Sequence, residues 1–224
     1  MATPFITIHH SPLIFRIAIF ASGAGSNAQT IIDYFTTSPL TLSSSLRAKR
    51  SKEGVTGVKV EVSLIVCNKP GAGVISIASK ENIPVLLIEK EKFFHGSGYV
   101  DELKEKQIDL IVLAGFLWKI PDALIKAYPQ RIINIHPALL PAFGGRGMYG
   151  SNVHTAVIAA GEKESGITIH YVDEHYDNGD IIFQASCPVL PGDTPGSLAR
   201  RIQGLEHEHF PRVISGVVGK LIGL

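Results

Sequence analysis

Asn134 and His136 stand two residues apart in Asn134-Ile135-His136-Pro137. In an extended chain both side chains therefore point to one face. A neutral amide donor beside a titratable imidazole suits carbonyl chemistry: the amide can donate to a developing oxyanion, and the imidazole can donate too or carry a proton. Pro137 and Pro141 stiffen the chain that follows. Tyr171 to Asp180 reads as an acidic turn. A carboxylate from it, brought near His136, would orient the ring and raise its pKa.

Gly23-Ala24-Gly25-Ser26-Asn27 combines backbone freedom with two short polar side chains. Placed before a helix, it offers unpaired N–H groups and a partial positive charge to a phosphate. It is not a dinucleotide fingerprint, because Asn27-Ala28 stands where a third glycine would fall, and no phosphate-loop lysine follows. Leu113 to Pro121 is an apolar run holding the only tryptophan, Trp118. It reads either as core or as the wall of a flat heteroaromatic pocket. The glycine run reads equally as a tight turn, and Asp177-Asn178-Gly179 as a plain one.

Alternating strand and helix signals must position these groups. Strands are predicted over Leu13–Phe20, Glu61–Cys67, Pro84–Ile88, Asp109–Ala114 and Arg131–Ile135. Helices are predicted over Asn27–Phe35, Val74–Glu81, Val100–Gln107 and Asp122–Ala127. This order predicts an α/β fold, Rossmann-like in three layers, with a mostly parallel sheet. A helix over Ser151–Ala160 then precedes two extended stretches, Ile167–Val172 and Ile181–Leu190, expected to extend the sheet antiparallel. Two closing helices are predicted, Leu198–Glu208 and Val213–Leu221. In open α/β sheets ligands sit at the carboxyl ends of the strands, where the Asn134–Pro141 and Leu113–Pro121 segments fall. No linker separates residues 13–135 from 136–224, so a single domain is expected over 1–224. The polar, basic stretch Thr41–Gly57 reads as a flexible insertion.

Composition narrows the classes. The chain has 224 residues, 45% hydrophobic and 18% charged, which excludes disorder and coiled coil. Twenty-one Lys and Arg against 20 Asp and Glu give a net charge of +1, so no nucleic-acid partner is expected. Cys67 and Cys187 are too few for a disulfide framework or a cysteine zinc site. The apolar run Ser11–Ala21 is interrupted by Arg16 and too short to span a bilayer. The expectation is a cytoplasmic protein with no membrane partner.

Together these motifs resemble the phosphoribosylglycinamide formyltransferases, also called glycinamide ribonucleotide transformylases. The resemblance is carried by Gly23-Ala24-Gly25-Ser26-Asn27, Leu113-Ala114-Gly115-Phe116, Asn134-Ile135-His136-Pro137 with Leu139-Leu140-Pro141, Gly166-Ile167-Thr168-Ile169-His170, Asp177-Asn178-Gly179 and Glu206-His207. They occur in family order from Ile17 to about Pro211. Asn-x-His-Pro with Leu-Leu-Pro belongs to a wider formyltransferase group, whereas the Gly-x-Gly-Ser-Asn loop is specific to the ribonucleotide enzyme.

The resemblance implies transfer of the formyl group of 10-formyltetrahydrofolate, as co-substrate, to the amine of glycinamide ribonucleotide, a step of purine biosynthesis. It implies Asn134, His136 and Asp177 as catalytic residues, with Asp177 holding His136 charged, and no metal. It implies Gly23, Ala24, Gly25, Ser26, Asn27 and Glu206 against the ribonucleotide. It implies Leu117, Trp118, Lys119, Ile120, Val172, Asp173, Tyr176 and Asp177 around the folate, with His170 supporting Asp177. The enzyme would act as a monomer or homodimer. Two departures from the family pattern stand out. Phe94 to Tyr99 carries no arginine where family members tend to place one that reaches folate. The loop Ala142–Gly150 is unusually glycine-rich and reads as a flap over the ribonucleotide, with Arg146 meeting phosphate. The alternatives are a formyltetrahydrofolate hydrolase, another formyltransferase such as the methionyl-tRNA enzyme, or a non-catalytic nucleotide- or folate-binding module.

Overall fold

A computed structural model describes residues 13–37 and 58–223. The predicted insertion Thr41–Gly57 lies outside the described residues. The elements run β1 (Leu13–Ala21), α1 (Ser26–Thr37), β2 (Val58–Cys67), α2 (Gly73–Lys80), β3 (Val85–Leu87), α3 (Lys90–His95), α4 (Val100–Glu105), β4 (Leu110–Leu113), α5 (Asp122–Ala127) and β5 (Ile132–His136). They continue with α6 (Ser151–Ala159), β6 (Glu164–Tyr171), β7 (Ile181–Pro188) and α7 (Pro195–Leu221). Every predicted strand forms. The short helix α3 was missed: its six residues bury only Phe93, too little for a helical period to show.

The strands make one seven-stranded sheet in the order β3-β2-β1-β4-β5-β6-β7. Pairs from β3 to β5 are parallel, and β6 and β7 are antiparallel, as expected. Alternation of side chains along the strands divides the core into two layers. On one face Ile17 and Ile19 of β1, Val112 of β4 and Ile133 of β5 pack with α1, α2, α6 and α7. On the other, Ala18 and Phe20, Ile111 and Ile132 pack with Phe93, Leu103 and Leu124 of α3, α4 and α5. That second face changes character along β5: after the buried Ile132, the same period brings Asn134 and His136. The neighbouring β6 puts His170 opposite Asn134 and Thr168 opposite His136. A polar patch thus begins where the helical cover ends.

The two predicted closing helices are one, α7, running through Pro211. An interior proline removes one backbone hydrogen bond, at a cost of about 3 kcal/mol. Here Phe210, Pro211, Ile214, Val217 and Val218 are all buried on the core side, and that continuous apolar stripe carries the helix across the break. Its start is secured by a capping box in which Thr194 Oγ1 accepts from Ser197 N and Ser197 Oγ accepts from Thr194 N. No helix among the described residues is long and apolar enough to cross a membrane.

Candidate active site

The strand order reverses between β2 and β4, on either side of β1, and a cleft of about 760 Å³ opens over the carboxyl ends of the strands there. Ser22 ties its two flanking loops together: Ser22 N donates to Gly115 O at 3.1 Å, and Ser22 Oγ accepts from Leu117 N at 3.1 Å. One wall comes from α1, α6 and α7, the other from the segments 115–120 and 172–177.

Between the walls, Asn134, His136, His170 and Asp177 meet. Asp177 comes from the turn between β6 and β7 and has a φ of 51°. Such a left-handed backbone is one that Asp tolerates better than most residues. The turn is pressed against β6, since a Cβ on Gly179 would lie 1.9 Å from the Tyr171 carbonyl oxygen, so only glycine fits. Asp177 Oδ2 lies 3.6 Å from His136 Nδ1, and Oδ1 lies 3.7 Å from His170 Nε2 and 3.4 Å from Asn134 Nδ2. Asn134 Nδ2 is also 3.1 Å from His170 Nε2. The Phe143 carbonyl, 2.8 Å from His136 Nε2, only accepts, so that nitrogen carries a proton. By the same reasoning His170 Nδ1, 2.8 Å from the Tyr171 carbonyl, carries one too.

The electrostatics correct one expectation. Asp177 was expected to hold His136 charged. His136 is 3% exposed, and burial lowers its pKa below the ordinary imidazole value despite the pull of Asp177 and the Phe143 carbonyl. The carboxylate is too far for a direct hydrogen bond, so it cannot offset the lost hydration. For Asp177 itself burial acts upward, but the His170 and His136 rings and the Gly145 N–H outweigh it and hold the carboxyl below its usual range. Glu206 goes the other way: burial raises it, and only Asn27 opposes this.

These shifts predict a pH dependence of stability. Burial lowers the pKa of both His136 and His154. As pH falls through the ordinary imidazole value of about 6.5, the unfolded chain gains protons on these rings that the folded chain does not, so acidification favours unfolding. The melting temperature is expected to drop between about pH 7.5 and about pH 6. A flat or rising profile would contradict the burial of these two rings.

Of the residues expected against the ribonucleotide, the structure brings two into the cleft. Asn27 and Glu206 line the cleft, joined by a 2.9 Å hydrogen bond from Asn27 Nδ2 to Glu206 Oε2. Gly23, Ala24, Gly25 and Ser26 form the adjoining turn without lining the cleft. A Cβ on Gly25 would meet the Val74 Cα at 2.9 Å, so packing of this turn against α2 requires a glycine here. Ser26 Oγ accepts from Gln203 Nε2 at 3.0 Å. On the other wall all of 117–120 lines the cleft, as do Val172, Asp173 and Tyr176. Trp118 leans on Phe93, Phe94 and Phe116. Asp173 is committed to its own turn, accepting from His175 N and Asn178 Nδ2 at 2.8 and 2.7 Å.

The glycine-rich loop is tied to the centre of the cleft. Phe143 O binds His136, and Gly145 N donates to Asp177 Oδ2 at 2.9 Å. Arg146 lines the cleft. Among the lining residues that sequence reasoning missed are His154, Arg200 and Gln203. Gln203 and Arg200 lie three and six residues before Glu206, and this helical spacing is a signal that could have found them. His154 lies on α6, where nothing in the local pattern distinguishes it from a core histidine.

The formyl transferase family model matches residues 15–214. The chain is 39% identical over 215 residues to a protein of Arabidopsis thaliana named phosphoribosylglycinamide formyltransferase, chloroplastic, covering 93% of this chain and 67% of that one. A relative of the same name from Vigna unguiculata is 40% identical and matched over 90% of this chain and 60% of its own length. The chain thus spans about two thirds of the plant relatives. The phosphoribosylglycinamide formyltransferase of Bacillus subtilis is 36% identical, with 91% of this chain and 95% of that one covered. Among solved structures, the phosphoribosylglycinamide formyltransferase of Bacillus halodurans superposes with a TM-score of 0.76 at 37% identity, covering 92% of this chain and 96% of that one.

Proposed function

The chain belongs to the formyl transferase family, and from that premise we propose that it transfers a formyl group from 10-formyltetrahydrofolate to the amine of glycinamide ribonucleotide in purine biosynthesis. The observation that carries this reading is the Asn134–His136–Asp177 cluster between two differently built walls. The folded α1 terminus, Asn27 and Glu206 suit a ribonucleotide on one side. The apolar 117–120 segment suits a flat folate ring on the other.

On this reading the transfer is direct. The substrate amine attacks the formyl carbon, and the carbonyl π pair moves onto oxygen. The Asn134 amide and the His136 Nε2–H donate to that oxyanion. His136 now donates to the Phe143 carbonyl, so the loop carbonyl gives way to the formyl oxygen when substrate binds. When the C–N bond to folate breaks, the leaving nitrogen takes a proton and the new amide loses one. Asp177, held ionised by its neighbours, accepts and returns that proton through His136 or a water. His170 supports Asp177 from β6. No covalent enzyme intermediate is needed.

A spectrophotometric transfer assay with 10-formyltetrahydrofolate, run with and without glycinamide ribonucleotide, tests the reading. Turnover strictly dependent on the ribonucleotide is expected. Deformylation without it would replace the reading by a hydrolase. Cytoplasmic residence is proposed alongside; plant relatives bear the word chloroplastic in their names, and fractionation of the native source decides between the two.

A further inference from the structure

His154 has no part in the chemistry above, yet its ring lines the same cleft and is 6% exposed. Its Nδ1 is sealed from solvent and has no hydrogen-bond partner. Among the described residues no protein group bonds the other nitrogen either. A buried N–H without an acceptor costs more than a bare lone pair, so the single proton of the uncharged ring belongs on Nε2. With Nδ1 sealed, the edge left to face the cleft is the one that carries Nε2. A second proton is opposed both by burial and by the neighbouring His136. The ring is therefore a fixed donor without a protein acceptor, held on a helix that packs against α7. That wall carries Glu206 and Gln203, which reach Asn27 and Ser26.

We propose that His154 is a further binding residue, whose Nε2–H donates a hydrogen bond to an oxygen of the amine-bearing substrate. This rests on the transferase reading given above. The role is that of an uncharged electrophilic donor: it fixes a ribose hydroxyl or amide carbonyl so that the amine faces the formyl carbon, and takes no proton itself.

The test compares His154→Phe, which keeps ring volume and loses the donor, with His154→Gln, which keeps an N–H. His154→Phe is expected to raise KM for the ribonucleotide about tenfold, the scale of one lost hydrogen bond. KM for the folate should not move, and His154→Gln should recover most of the loss. An unchanged ribonucleotide KM in His154→Phe would overturn the proposal. So would an equal rise in both KM values, or a glutamine variant as impaired as the phenylalanine one, since either marks a packing role. A long-range ¹H–¹⁵N spectrum of the wild-type chain reads the tautomer without reference to turnover. A bare Nδ1 and protonated Nε2 are expected, and the reverse tautomer overturns the proposal. Absence of ribonucleotide-dependent turnover in the wild type would instead sink the function reading, leaving the tautomer result intact.

Discussion

An Asp177→Asn variant is expected to lose about 10²–10⁴ in kcat, the range supplied by a positioned acid–base group. The substitution keeps the shape of the side chain. Its amide oxygen can still accept from Gly145 N, which now bonds Oδ2 at 2.9 Å, so the glycine-rich loop keeps its anchor. What disappears is the negative charge opposite His136 Nδ1 and His170 Nε2. The amide cannot take a proton from the forming product, and it cannot stabilise an imidazolium at His136, which burial already disfavours. KM for both substrates is expected to change only a few-fold, because the walls of the cleft are untouched. The check is kcat at saturation beside the melting temperature. A kcat within about threefold of wild type, from a protein that melts normally, would remove Asp177 from the proton path.

The second large effect is at Asn134. Its amide is the neutral side-chain donor nearest the carboxylate, and it sits on β5, where neighbouring strands on both sides hold the backbone. Asn134→Ala should lower kcat by about 10²–10³, or roughly 3–4 kcal/mol, the typical loss of one oxyanion donor. Asn134→Asp should be worse still. It would set a second carboxylate at the position from which Asn134 Nδ2 now lies 3.4 Å from Asp177 Oδ1. Two carboxylates so close cannot both ionise, and the pair would hold a proton instead. The Asn134→Ala, Asp177→Asn double variant is expected to lose less than the product of the single losses, because both residues serve one step. Strictly multiplicative losses would mean that they act independently.

Much of this architecture was legible in residue order. β4 reads Leu-Ile-Val-Leu and is buried at all four positions, as a strand covered on both faces must be. The two-residue spacing of Asn134 and His136 does put both on one face of β5. Two closing helices were expected where α7 is one: Pro211 locally favours a break, and only the burial of Phe210, Ile214 and Val218 against the sheet overrides it. Gly25 takes the sharp turn expected of it, at φ 85°, while its close approach to Val74 of α2 could not be read from local spacing.

Residue types and spacing by themselves determined the layered α/β plan, the strand ends at which chemistry could occur, and the Asn–His pair. Those follow from local periodicity and from the fixed two-residue repeat of a strand. The tertiary structure alone decided what surrounds that pair. The antiparallel register of β5 on β6 brings His170 to Asn134 across 36 residues of sequence. The folding back of the β6–β7 turn brings Asp177 to both, and the loop carbonyl of Phe143 caps His136. Burial then set the direction of the His136 pKa against the carboxylate beside it. Hydration is lost only when distant segments close together, so no local stretch of sequence encodes it.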